Sequence, residues 1–74
     1  MMKLRDLISV MDDNTLICVC DDCGAMTDVA QIKDIGVKCL MNHLDRTVTR
    51  VYFDHSDGSI VIELEDYKYE EADD

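Results

Sequence analysis

The chain reads as a single small α+β domain: an antiparallel sheet with helices on one face, in the order α-β-β-α-β-β. Three observations predict it. Apolar residues at i, i+3, i+4 and i+7 recur twice, over residues 4–11 and 37–44, which is the stripe of an amphipathic helix. A short apolar run, TLICVC, is bounded by turn residues and is too brief for a buried helix. Two alternating segments, residues 47–54 and 59–65, flank His55-Ser56-Asp57-Gly58 and read as a hairpin.

The elements follow in order. Leu4, Leu7, Ile8 and Met11 form the first stripe, which Asp12, Asp13 and Asn14 stop. Thr15 to Cys20 is the first strand, and Asp21-Asp22-Cys23-Gly24 turns the chain. In MTDVAQIKDI, Ala30 and Ile32 alternate while Val29, Ile32 and Ile35 are three apart. A second strand over about residues 27–33 is the preferred reading. Gly36 separates it from Val37, Leu40, Met41 and Leu44, the second helical stripe. In the hairpin, Val51 and Phe53 share one face with Ile60, Ile62 and Leu64, expected to pack on the helices. Arg50 and Tyr52 share the other with Val61, Glu63 and Glu65, expected to bring Arg50 to Glu63 or Glu65. Gly58 suits a positive φ. The domain spans residues 1–66, and 67–74 form an acidic tail or extend the last strand.

Seventy-four residues with 47% hydrophobic content suffice for one core, which Leu, Ile, Val and Met must build because aromatics are only 5%. Such a chain buries only about 60% of its unfolded surface. Chains of this size often add a metal, disulfides or a partner subunit. No apolar run approaches the roughly 20 residues of a bilayer span. The charged N-terminus MMKLRDLISVM is unlike a secretory signal. A cytoplasmic protein with reduced thiols is expected.

The net charge of -10 is unevenly placed. Residues 1–53 hold 8 acids and 6 bases; residues 54–74 hold 9 acids and one base, Lys68, a net of -8. Such a surface repels nucleic acid and anionic membrane and attracts basic proteins. A solubilising face with a frayed tail accounts for the same charge.

Cys20-x2-Cys23, then Cys39-x3-His43, matches the ligand spacing of structural zinc. On a helical wheel Cys39 and His43 fall opposite the stripe centred on Val37, where packing does not explain them. Against zinc stand Asp21 and Asp22 inside the knuckle. Cys18 and Cys20 also share a strand face with Leu16, as core thiols do. The main expectation is therefore no cofactor and thiols serving as small hydrophobes; zinc on Cys20, Cys23, Cys39 and His43 is the alternative. A redox role for Cys20 and Cys23 lacks a helix N-terminus to depress a thiol pKa, and the aspartates raise it. His55 belongs to a turn, and no nucleophile-base spacing, carboxylate pair or phosphate loop is present, so no enzymatic activity is expected. Basic residues are too few and scattered for nucleic-acid binding.

MKLRDLISVMDDNTLICVCDD, with its late partner RTVTRVYFDHSDGSIVIELE, resembles small acidic proteins encoded by phages and prophages of Gram-positive gut bacteria. In these an N-terminal helix-to-strand opening and a closing acidic hairpin recur; the cysteine knuckle is not part of that pattern. The resemblance covers most of the chain and implies an inhibitor of a host defence or repair protein. Anti-CRISPR proteins and uracil-DNA glycosylase inhibitors are similar in size and charge. The implied mechanism is nucleic-acid mimicry, with carboxylates standing in for phosphates against Arg and Lys. Asp54, Asp57, Glu63, Glu65, Asp66, Glu70 and Glu71 are the expected contacts. Carboxylates on alternate strand residues stand about 6–7 Å apart, near the phosphate spacing. A zinc-stabilised adaptor and a homodimeric accessory module without activity remain the other two readings.

Overall fold

The computed structural model describes residues 2–22, 24–35 and 40–65. Among these the chain is mostly sheet: one mixed sheet, one short helix and a 3-10 turn. The helix α1 spans Leu4–Ser9. The strands are β1 (Leu16–Asp21), β2 (Gly24–Ala25), β3 (Ala30–Gln31), β4 (Val48–Asp54) and β5 (Ser59–Leu64), and the 3-10 turn is Ile32–Asp34.

Helix α1 starts where the chain supplies acceptors for its otherwise unpaired N–H groups. Leu4 N–H donates to the Arg46 carbonyl at 3.0 Å and Arg5 N–H to the Leu44 carbonyl at 2.9 Å. It ends two residues before the apolar stripe does. Val10 and Met11 donate to the Leu7 and Ile8 carbonyls in a tightened last turn, and the Asp12 carboxylate accepts the Asn14 N–H at 2.8 Å.

The sheet runs β2-β1-β5-β4, with β3 also paired to β1. The expected all-antiparallel sheet is corrected at its centre, where β1 and β5 are parallel, Ile17 opposite Ile60 and Val19 opposite Ile62. Alternation identifies a strand's faces but is blind to the direction of its neighbour. The expected strand over residues 27–33 is also corrected. The chain after β1 makes two short contacts on one edge of it, β2 at Cys20–Asp21 and β3 at Leu16–Ile17. Between them the Thr27 hydroxyl accepts the Val19 N–H at 3.1 Å, and the Val19 carbonyl accepts Met26 N–H. A side chain thus does the work of a ladder rung, which no periodicity announces.

The hairpin forms as expected, and Gly58 holds φ +75° in its turn. Of the second helical stripe, residues 37–39 lie outside the described residues. Leu40 is buried and Leu44 packs on the core, whereas Met41 is 58% exposed. Residues 42–45 are turn, with His43 N–H donating to the Leu40 carbonyl.

The core lies on one face of the sheet: Leu4, Ile17, Val19, Leu40, Ile62 and Leu64, flanked by Leu7, Ile8, Met11, Met26, Ile32, Ile35, Leu44, Val48 and Ile60. Val51 and Phe53 point to this same face yet stay 45% and 51% exposed. The expectation that helices cover them is corrected by length. Six helical residues reach about 9 Å, whereas the seven of β4 reach about 23 Å. A bridge between Lys3 and Thr47 pins α1 at the Val48–Leu64 end.

Candidate protein-binding face

The opposite face of the sheet carries the polar chemistry, and the register sets it in rows. Arg50, Glu63 and Cys20 form one row across β4, β5 and β1; Tyr52, Val61 and Cys18 form the next; Asp54 and Ser59 close the series. Cys18 and Cys20 therefore do not face the core as the sequence suggested; Ile17 and Val19 do. Both faces of TLICVC are apolar, so alternation could not say which was inside.

Arg50 pairs with Glu63 at 3.1 Å, choosing it over Glu65, and its guanidinium stacks 4.6 Å from the Tyr52 ring centroid. Arg50 is exposed and Glu63 partly so, and a pair this accessible contributes little stability. Beside Glu63, Arg50 holds its proton more firmly than usual.

Asp54 and Asp57 are fixed by the turn they build. The Asp54 Oδ1 accepts the Ser56 N–H at 2.9 Å and the Ser56 hydroxyl at 2.6 Å. The Asp57 Oδ1 accepts the same two groups from Ser59, at 2.9 and 2.6 Å. The two Ser56 bonds stabilise the ionised form of Asp54 and hold its carboxyl below the usual carboxylate range.

Carboxylates converge here from several elements. Burial pushes the Cys18 thiol up, and Asp57, Asp28 and Asp54 push it further. Burial, then Glu63, Cys18 and Asp21, raise Cys20, with Arg50 opposing. Both thiols are therefore held protonated at neutral pH, the opposite of an activated nucleophile. Cys18 Sγ lies 3.6 Å from the Thr27 carbonyl as a weak donor.

Of the expected contact residues, Asp54, Asp57 and Glu63 gather on or beside this face. Glu65 follows β5, half-buried, its N–H donating to the Thr47 carbonyl and its own carbonyl accepting Arg46 Nη2. Asp66, Glu70 and Glu71 lie outside the described residues, as does the proposed tail. Asp28, next to the Thr27 that bonds Val19, also comes near Cys18 and was not singled out in the sequence.

The zinc alternative draws on Cys23 and Cys39, which also lie outside the described residues. Among the described residues, no group of three or more His, Cys, Asp or Glu is placed to hold a metal ion. His43 Nδ1 stands 3.3 Å from Arg46 Nη1, a cation where a ligand histidine favours a carboxylate or carbonyl. Arg46 was not singled out in the sequence and proves central: Nη1 also donates to Asp21 Oδ2 at 3.0 Å and touches Met26 Sδ at 3.8 Å.

A shallow cavity of about 360 Å³ opens at one end of the sheet, lined by Ala25, Met26, Thr27, Asp28, Ala30, Asp34 and Ile35. Among the described residues, no helix is long and apolar enough to cross a membrane. No family model, curated protein or solved structure matches the chain.

Proposed function

We propose that this protein is a non-enzymatic, phage-type inhibitor. It docks its acidic sheet face into the basic groove of a host nucleic-acid-binding defence protein, such as a CRISPR effector, in the bacterial cytoplasm. The observation that carries this reading is the convergence of Asp28, Asp54, Asp57 and Glu63 on one side of the molecule, around Cys18 and Cys20. Asp54 and Asp57 are held in place before any partner arrives, so little ordering entropy opposes their use. Their remaining acceptor sites suit Arg and Lys as phosphate oxygens do. The net -8 of residues 54–74 steers a basic partner toward this side.

The test is affinity capture from a Gram-positive bacterial lysate, followed by elution with a competing oligonucleotide. The wild-type chain should retain a basic nucleic-acid-binding protein that the oligonucleotide releases. The variant Asp28→Asn/Asp54→Asn/Asp57→Asn/Glu63→Gln keeps its turn acceptors and loses the charge. It should retain none. Equal retention by that variant, or retention indifferent to the oligonucleotide, removes the mimicry reading.

A further inference from the structure

Strand β4 ends the sheet, and its outer edge divides in two. At its start the N-terminal segment lies alongside, with Lys3 bridged to Thr47 and Val48 N–H donating to the Met2 carbonyl at 2.9 Å. Beyond it the register shifts between Val48 and Arg50, so Thr49 is a bulge. The remaining stretch, Arg50 to Asp54, is regular, and no other described strand pairs with its outer edge. It has no proline and no lysine, and Val51, Tyr52 and Phe53 are 45%, 40% and 51% exposed. Natural sheets blunt such edges with charge, proline or a covering segment. Here the covering segment and the bulge lie before residue 50, and the charges that follow, Arg50 and Asp54, are opposite in sign.

We propose that this edge pairs antiparallel with the same strand of a second copy, about a twofold axis at Tyr52. The argument is self-complementarity. An axis perpendicular to the sheet must pass through a residue, because paired residues share a face. Through Val51, it sets Arg50 against Tyr52. Through Phe53, it sets Asp54 against Tyr52 and drives Arg50 into the turn. Through Tyr52, it sets Arg50 against Asp54 twice, Val51 against Phe53 twice, and Tyr52 against itself. This register alone opposes unlike charges, and it uses the whole regular segment between bulge and turn. Arg50 has donors beyond the Nη2 bound to Glu63, and both Ser56 bonds to Asp54 fall on Oδ1. The Val51–Phe53 pairs fall on the core side, where they extend the apolar layer from one copy into the next. Opposite-charge and aromatic–aliphatic cross-strand pairs are the ones that stabilise a ladder.

The inference is independent of the docking proposal: Asp28, Asp57 and Glu63 remain on the open face, and only Asp54 is shared. The contact is smaller than a standard interface, so sedimentation equilibrium is run from about 10 µM to about 1 mM. The wild-type chain should approach twice the chain mass. Arg50→Asp and Asp54→Arg should each weaken association at least about tenfold, by opposing like charges. Their equimolar mixture should recover it, because each supplies what the other lacks. Val51→Lys, on the other face and away from Glu63 and the turn, should also yield monomer and covers the case in which a reversal fails to fold. Hydrogen exchange at residues 50–54 should slow as concentration rises. A monomer at every concentration overturns the proposal, and so does association that the reversals leave unchanged. Protection of residues 50–54 independent of concentration also overturns it, because the chain's own segment then covers the edge.

Discussion

Cys18 and Cys20 show how a face decides the chemistry of a residue. Half-buried among carboxylates, their thiolates are disfavoured, and the folded state keeps the protons to a higher pH than the unfolded chain does. The sign follows by linkage. Between the ordinary thiol pKa of about 8.5 and the raised folded value, the native state binds more protons, so stability falls as pH rises through that window. Neither thiol contributes to acid sensitivity. At pH 8, alkylation of Cys18 and Cys20 by iodoacetamide should be several-fold slower in the native chain than in urea, read by mass spectrometry of their peptides. Equal rates would mean that neither burial nor the carboxylates bear on the sulfurs. Burial first, and then the carboxylates, work against a redox role for Cys20.

At the scale of elements, Arg46 joins what the strands alone leave apart. Its guanidinium reaches the end of β1 at Asp21, the end of β5 at the Glu65 carbonyl, and His43 in the loop. The Arg46 and Asp21 side chains are only 13% and 7% exposed. Removing one partner of such a pair costs about 3–5 kcal/mol. A chain of this length has roughly 4–11 kcal/mol of total stability. Arg46→Ala should therefore lower the thermal midpoint by tens of degrees. Arg46→Met with Asp21→Leu should lower it much less, because no charge is left buried. The measurement is thermal unfolding by circular dichroism. Elements that depend on local pattern were legible in the sequence: the first helix, the first strand and the hairpin with its Gly58 turn. Those set by distant partners were not. The strand expected at residues 27–33 gives way to Thr27 bonding Val19. The inner face of β1 is chosen by the parallel docking of β5. Arg46 looks like any surface base until Asp21 is beside it. The acidic hairpin was visible as charge, and its alternation already set Arg50 near Glu63 or Glu65; the approach of Asp28 to Cys18 was not legible.

For the whole molecule, charge opposes compactness. With a net of -10, self-repulsion is a standing cost that three described ion pairs, Arg5–Asp45, Arg46–Asp21 and Arg50–Glu63, only partly offset. Raising sodium chloride from 0.01 to 0.5 M shortens the Debye length from about 30 Å to a few Å. The thermal midpoint should rise over that range. A fall would mean that the exposed pairs outweigh the repulsion. The proposed docking to a basic partner would relieve part of that repulsion.

The parallel pairing of β1 with β5 also sets an order of events in time. Ile17 meets Ile60 and Cys20 meets Glu63 across more than half the chain, so the central ladder cannot begin until β5 is present. Closing so long a loop is entropically slow, and folds dominated by such contacts assemble over milliseconds to seconds rather than microseconds. On a ribosome, β1 emerges early and waits for β5, which ends at Leu64. Until then its apolar faces lie open to chaperones and proteases, and a chain cut short before β5 has no sheet centre to close. Synthesis of β5 is thus the step that licenses the fold.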